Sequence, residues 1–286
     1  MRAVSRHGNG STGNAVYESD NIPVLEMLVD EGVVADTIIM DPPYNTAVPY
    51  IGYKDSDYPG GWSDFISRRL AMAKKLLSPT GVLFIHIDEN ELVSLLGICY
   101  DLFGAPNVNL LIWPKVDPAF DANRVEKPVS NVKSVHEYIV LCYSDRESTV
   151  LGNTCLGKPL ESIVSGFGTT SSAKDEMVAL LGDRRCFSTP KPMVLFRELI
   201  RVSSKKDSTI LDPFAGSGTT GHAVMDLNRE DGGNRRFILV TNDESDTCRK
   251  VTVPRLIRAI EIEGYDSGFT FFTDDGTVSP NSRILP

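Results

Sequence analysis

Ile210-Leu211-Asp212-Pro213-Phe214-Ala215-Gly216-Ser217-Gly218-Thr219-Thr220-Gly221 decides the fold class of this 286-residue chain. A short apolar run ends at an acid, a glycine-rich turn follows, and a helix begins at Thr219. Glycine lets the backbone come close to a ligand, and the N–H groups at a helix start favour an anionic group. Gly216 to Gly221 also fits the GxGxxG pattern of dinucleotide-binding turns, with Asp243 and Glu244 near the spacing of a ribose-binding acid. A tight strand-to-helix turn that binds nothing is the plain alternative.

Outward from this turn, short apolar strands alternate with amphipathic helices. After a weak strand start at Val16, strands are expected at Asp36–Asp41, Val82–Ile87, Val108–Trp113, Val135–Tyr143, Ser208–Asp212 and Arg236–Thr241. Helices are expected at Ile22–Val29, Ser63–Leu77, Asn90–Phe103, Met193–Arg201, Thr219–Asn228 and Asp246–Glu263, the last restarted near Pro254. Such alternation means an α/β fold with a doubly wound, mostly parallel sheet. Residues 1–14, rich in Gly, Ser and Asn, read as a loose N-terminal tail. Residues 15–266 read as a single domain with a short, poorly patterned insert at about 144–186, where only Met177–Leu181 suggests a helix; residues 267–286 read as a C-terminal tail.

The composition, 41% hydrophobic and 23% charged, is that of an ordinary globular chain. No stretch approaches the roughly 18 apolar residues of a membrane span, and the N-terminus shows no secretory leader. The cysteines Cys99, Cys142, Cys155, Cys186 and Cys248 form no CxxC. Reduced thiols in a cytoplasmic compartment, and no metal site, are therefore expected. The net charge of −9 sits poorly with a nucleic-acid ligand, since the basic residues come as scattered pairs.

A second stretch carries the chemistry. Thr37-Ile38-Ile39-Met40 ends in Asp41-Pro42-Pro43-Tyr44. Consecutive prolines fix the backbone and donate no N–H, so a rigid bend follows the strand. It presents an acid, an unclaimed carbonyl and an aromatic ring at the carboxyl end of a strand, the edge where open α/β sheets bind ligands. A planar amine with two hydrogens meets two acceptors there, the Asp41 carboxylate and the Pro42 carbonyl, with Tyr44 placed to stack. Ordinary turn chemistry is the competing reading of the tetrapeptide alone.

The two stretches together, with Thr189-Pro190-Lys191-Pro192 before the glycine turn, resemble the amino-methylating DNA methyltransferases of the class whose catalytic motif precedes its cofactor motif. Asp41 to Thr46, Gly81 to Glu91 and Ser134-Val135-His136-Glu137-Tyr138-Ile139 look like the modification subunits of type III restriction-modification systems and their solitary relatives. The similarity covers roughly Val16 to Glu263. It implies a Rossmann-like, seven-stranded sheet of the S-adenosylmethionine-dependent methyltransferase type.

By this resemblance Asp41, Pro42 and Tyr44 are catalytic. S-adenosylmethionine is held by Asp20, Asp41, Lys191, Pro192, Asp212, Pro213, Phe214, Gly216, Gly218, Thr219 and Asn242. The family often carries a ribose-binding Glu where this chain has Thr241, followed by Asn242, Asp243 and Glu244. DNA contacts are expected from Lys115, Arg124, Lys127 and Lys133 in the polar span and from Arg184 and Arg185. The family's long recognition segment is missing between Ser144 and Cys186, so a homodimer or a second protein subunit is expected to complete the DNA surface.

Adenine N6 is expected because Asp leads the motif, where the cytosine N4 enzymes usually carry Ser. The amine lone pair is delocalised into the ring, and hydrogen bonds to Asp41 and Pro42 localise it toward the methyl donor. An ordinary carboxylate is too weak a base to deprotonate the neutral amine first, so methyl transfer leads and the proton follows. The base must leave the duplex to be reached, with Tyr44 as a stacking platform whose hydroxyl is dispensable. His7, His86, His136 and His222 read as structural. N4-cytosine methylation, a DNA-binding subunit without activity of its own, and a nicotinamide dehydrogenase are the other readings.

Overall fold

The computed structural model describes residues 1–9, 13–46, 55, 58–116, 132–242 and 244–274. Its strands are β1 (Arg2–Gly8), β2 (Ala15–Glu18), β3 (Ala35–Met40), β4 (Leu77–Ile87), β5 (Val108–Pro114), β6 (His136–Tyr143), β7 (Thr209–Asp212), β8 (Arg236–Thr241) and β9 (Gly268–Thr273). Its α-helices are α1 (Asn21–Asp30), α2 (Trp62–Leu76), α3 (Leu92–Phe103), α4 (Thr170–Leu181), α5 (Met193–Ser203), α6 (Thr219–Asp231) and α7 (Val253–Glu263). The strands make one sheet in the order β1-β9-β2-β8-β7-β3-β4-β6-β5. All pairings from β9 through β4 are parallel; β6 runs antiparallel to β4 and β5, and β1 antiparallel to β9.

Side chains of a strand alternate between faces, and β3 shows what that does here. Ile38 and Met40 enter a core with α1, α2 and α3, whereas Ile39 enters a second core with α4, α5, α6 and α7. Both faces are covered, which is why Ile38, Ile39 and Met40 follow one another without a polar break. On α2 the buried Ile66, Leu70 and Ala73 lie on one helical face. Full burial of such a Leu or Ile contributes about 1.5–3 kcal/mol.

The two chemically distinctive stretches come together through topology. β3 and β7 pair in parallel, Thr37 with Ile210 and Ile38 with Leu211. The helix after β3 covers one face and the helix after β7 covers the other. Chain direction thus diverges between these neighbours, which opens a crevice at their carboxyl ends.

Several expectations need correction. Among the described residues the sheet has nine strands rather than seven. Both ends expected to be tails contribute the extra ones: β9 adds to β2, and β1 adds to β9. In β9 the buried Phe269 and Phe271 alternate with less buried neighbours, a strand pattern hidden by the polar turns around it. Strand β1 is a polar edge held by backbone pairing, so it has no apolar signature. The insert holds a longer helix than expected, α4, started by reciprocal hydrogen bonds between Thr169 and Ser172. The closing helix is in pieces: a 3₁₀ turn at Glu244–Asp246, a π turn at Cys248–Thr252, then α7. Pro254 is in the first turn of α7, directly after the π turn.

Candidate active site

A cleft of about 840 Å³ lies over the carboxyl ends of β3 and β7. Asp41 follows β3 directly and opens into it. Its two carboxylate oxygens accept hydrogen bonds from Lys191 Nζ at 2.8 and 2.7 Å, and Oδ1 also accepts from the Tyr44 hydroxyl at 2.7 Å. Glu137, buried at the start of β6, faces the same group. Its Oε2 lies 3.2 Å from the Tyr44 hydroxyl and 3.5 Å from Lys191 Nζ, and its Oε1 lies 3.5 Å from Lys115 Nζ. Lysines and acids therefore alternate in the order Lys115, Glu137, Lys191, Asp41.

Lys191 is only 5% exposed. Burial alone would lower the pKa of its ammonium, but the charges of Asp41 and Glu137 outweigh that and hold it above the usual lysine value. The remaining hydrogen-bonding capacity of Asp41 is well defined. A carboxylate offers about four lone-pair positions; Lys191 and Tyr44 take two on Oδ1 and one on Oδ2. Among the described residues, no donor takes the remaining position on Oδ2. Among the described residues no donor reaches the Pro42 carbonyl, whereas the Pro43 carbonyl accepts from Trp62 Nε1 at 2.7 Å. The bend is anchored beyond Tyr44 as well: Asn45, at φ 59°, donates its backbone N–H to Asp55 at 2.6 Å and its side-chain amide to Glu91 at 2.7 Å.

The opposite wall is the glycine turn. Asp212 accepts from the Phe214 N–H at 2.9 Å and from the Thr220 hydroxyl. Burial, helped slightly by the charge of Asp41 and opposed by those two hydrogen bonds, pushes its pKa up to about 7. At Gly216, φ is +46° and a Cβ would stand 3.1 Å from the Phe187 ring, so glycine lets that ring close over the turn. Arg255, fully buried on α7, donates to the Ser217 and Thr219 hydroxyls at 3.0 and 2.8 Å and to Glu176 at 3.2 Å. At the rim Asp20 caps α1 through the Ile22 N–H and pairs with Arg69 at 3.1 Å. Arg69 also donates to Asn21, which in turn donates to the Pro213 carbonyl.

Most residues expected at the site line this cleft: Asp20, Asp41, Pro42, Tyr44, Lys191, Asp212, Pro213, Phe214, Gly216, Thr219 and Asn242. Two expected cofactor residues do not. Gly218, at φ +80°, is the left-handed residue before α6 and backs onto Thr252. Pro192 starts α5, its carbonyl accepting the Leu195 and Phe196 N–H groups. Of the basic residues expected to contact DNA, Lys115 and Arg184 line the cleft. Lys115 turns inward to Glu137, and Arg184 pairs with Asp175. Arg185 and Lys133 are exposed away from the cleft, while Arg124 and Lys127 lie outside the described residues.

Glu137, Phe187 and Arg255 were not singled out from the sequence. Glu137 sits inside the quoted His136-Glu137-Tyr138 stretch, and an acid opening an apolar strand was a usable signal. Arg255 breaks an otherwise apolar helix face, Val251, Leu256 and Ala259, which is also visible in the sequence. Phe187 has no such signal. Among the described residues no group of His, Cys, Asp and Glu could hold a metal ion, and no helix is long and apolar enough to cross a membrane.

A doubly wound sheet with an Asp-Pro-Pro-Tyr bend and a glycine turn facing across its crevice places two ligand-facing turns at one switch point. A family model described as DNA methylase matches residues 35–263, and the chain belongs to that family. It is 26% identical to the Mod subunit of the type III restriction-modification enzyme StyLTI of Salmonella typhimurium, over 83% of this chain and 53% of that protein. It is 24% identical to the EcoPI Mod subunit of Escherichia phage P1, over 82% and 58% respectively. The chain thus spans little more than half the length of these two relatives. The type II methyltransferase M.KpnI of Klebsiella pneumoniae is 23% identical over 92% of this chain and 86% of its own. Among solved structures, the M1.HpyAVI–SAM complex shares the fold at a TM-score of 0.55 and 16% identity, covering 85% of this chain and 98% of that one. The cytosine-N4-specific PvuII DNA methyltransferase does so at 0.54 and 14% identity, covering 95% and 99%.

Proposed function

We propose that this chain transfers a methyl group from S-adenosylmethionine to the N6 amine of a flipped-out adenine in DNA. The observation that carries the reading is the pair of open acceptors, one position on Asp41 Oδ2 and the Pro42 carbonyl, in the same cleft as the glycine turn. Two acceptors on a rigid bend match the two hydrogens of an exocyclic amine.

The donor set suits the cofactor. Phe214, Phe187 and Pro213 offer apolar walls, Gly216 allows close approach, and Thr219, Asp20 and Asn242 offer polar partners. When bound, S-adenosylmethionine supplies an activated methyl group. The chain does the rest by positioning and preorganised charge: Asp41 and Pro42 orient the amine and localise its lone pair, Tyr44 stacks on the base, and Lys191 with Tyr44 fixes the carboxylate. Lys191 serves here as the partner of Asp41 rather than as a ligand of the methionine end.

Adenine is favoured over cytosine by the Asp at the head of the motif; the fold, shared with a cytosine-N4-specific enzyme, does not separate the two. A second subunit, another copy or a different protein, completes the DNA surface, because the chain carries a net charge of −9 and its basic residues are scattered. The test is incubation with methyl-labelled S-adenosylmethionine and unmethylated DNA, followed by nucleoside analysis. N6-methyladenine is expected. N4-methylcytosine would reassign the base, and no label with any DNA or partner would overturn the reading.

A further inference from the structure

Glu137 is 8% exposed, lies 3.5 Å from the ammonium groups of Lys115 and Lys191, and among the described residues makes no hydrogen bond or ion pair with the glycine turn or the Pro42 carbonyl. A buried carboxylate is costly unless paired, and this one shares Lys191 and the Tyr44 hydroxyl with Asp41. We propose that Glu137 is a positioning residue for the proton-removing half of the reaction: it holds Lys191 and Tyr44 when Asp41 gives up its negative charge. This rests on the methyltransferase reading above.

The balance runs as follows. Once the amine nitrogen has formed its bond to the methyl carbon it is cationic. One N–H bond breaks, its electron pair returns to nitrogen, and an O–H bond forms at Asp41 Oδ2. Asp41 is then neutral, and Lys191 keeps a carboxylate partner only because Glu137 is there. With Glu137 neutralised, Lys191 would depend on Asp41 alone and resist that protonation. The other groups facing Glu137 do not replace it. Lys115 at the end of β5 is a cation; on β4, His86 is held neutral by burial, its pKa lowered to about 3, and burial raises the pKa of the Asp88 carboxyl.

The test compares wild type, Glu137→Gln and Glu137→Asp by methyl transfer from pH 5 to 9, with thermal unfolding of each. In folded Glu137→Gln, kcat should fall about 10- to 100-fold, the scale of one lost hydrogen bond to a charged group. The acid limb of kcat/KM should also move to lower pH, because the anion that repels Asp41 and competes for Lys191 is gone. Glu137→Asp, which keeps the charge, should keep the wild-type limb. A Glu137→Gln protein with wild-type kcat, or one slowed with the acid limb unmoved, would overturn the proposal alone. A wild type that transfers no methyl group would overturn it together with the proposed function.

Discussion

Lys191 Nζ lies 2.7–2.8 Å from both oxygens of Asp41, although the two residues stand 150 positions apart. The contact ties the segment before the glycine turn to the bend after β3 across the switch point of the sheet. It explains why a lysine belongs there. The pairing orients Asp41, uses part of its accepting capacity, and leaves a defined remainder beside the Pro42 carbonyl. A short Lys-Pro stretch that resembles a cofactor motif is thereby joined to the Asp41 bend.

The Tyr44 hydroxyl has more to do than the sequence suggests. It donates to Asp41 at 2.7 Å and lies 3.2 Å from Glu137. A hydrogen bond to a charged group contributes about 1.5–3 kcal/mol, so Tyr44→Phe should lower kcat by about tenfold or more. Tyr44→Ala should lose a further stacking contribution of about 1–3 kcal/mol per base. Steady-state methyl transfer by both variants checks this. A Tyr44→Phe enzyme with wild-type turnover would return Tyr44 to a stacking role alone.

Gly218 acts on the fold before it acts on a ligand. Its φ is +80°, and a Cβ there would stand 3.2 Å from Thr252 Cγ2. A β-branched residue in left-handed backbone is strained by about 1–3 kcal/mol. Gly218→Val should therefore lower the unfolding free energy of the cofactor-free protein by about that much, read by urea titration. Unchanged stability with lost cofactor binding would mean that the glycine serves ligand approach instead.

His86 makes stability depend on acid. Both ring nitrogens are buried, and among the described residues neither has a hydrogen-bond partner. Its ring stacks on Phe196 at 5.1 Å between centroids. Burial first, and the charge of Lys191 second, lower its pKa from 6.5 to about 3. The unfolded chain then takes up the proton before the folded one, so this residue's contribution is lost as pH falls from about 6.5 toward 3. The loss approaches about 1.4 kcal/mol per pH unit. His86→Leu should remove that slope, seen as a wild-type deficit of about 2 kcal/mol growing between pH 7 and pH 5 in urea unfolding. Parallel pH profiles for the two proteins would contradict it.

What the sequence made legible follows from local physics. β3, β7 and β8 were readable because strands buried on both faces carry runs of consecutive apolar residues, Ile38 to Met40, Ile210 to Leu211 and Phe237 to Val240, and the two ligand turns because Pro and Gly act on their own backbone. Strand β1 was not readable, since a polar edge strand is defined by its partner β9, residues 268–273, at the far end of the chain. The roles of Glu137 and Lys115 were hidden for the same reason: a surface-type residue becomes a site residue only when antiparallel β5 and β6 place them together at one end of the sheet. Charge counting likewise marked Lys115 and Arg184 as basic without showing that each already faces an acid.

The account stands on Asp41 as the acceptor of the target amine. The direct measurement is methyl transfer by Asp41→Ala beside calorimetric binding of S-adenosylmethionine to the same folded protein. Transfer should be lost while cofactor affinity stays within a few-fold of wild type, because Asp41 contacts the amine and Lys191 rather than the glycine turn. An Asp41→Ala protein that methylates DNA at the wild-type rate would contradict the account at its centre.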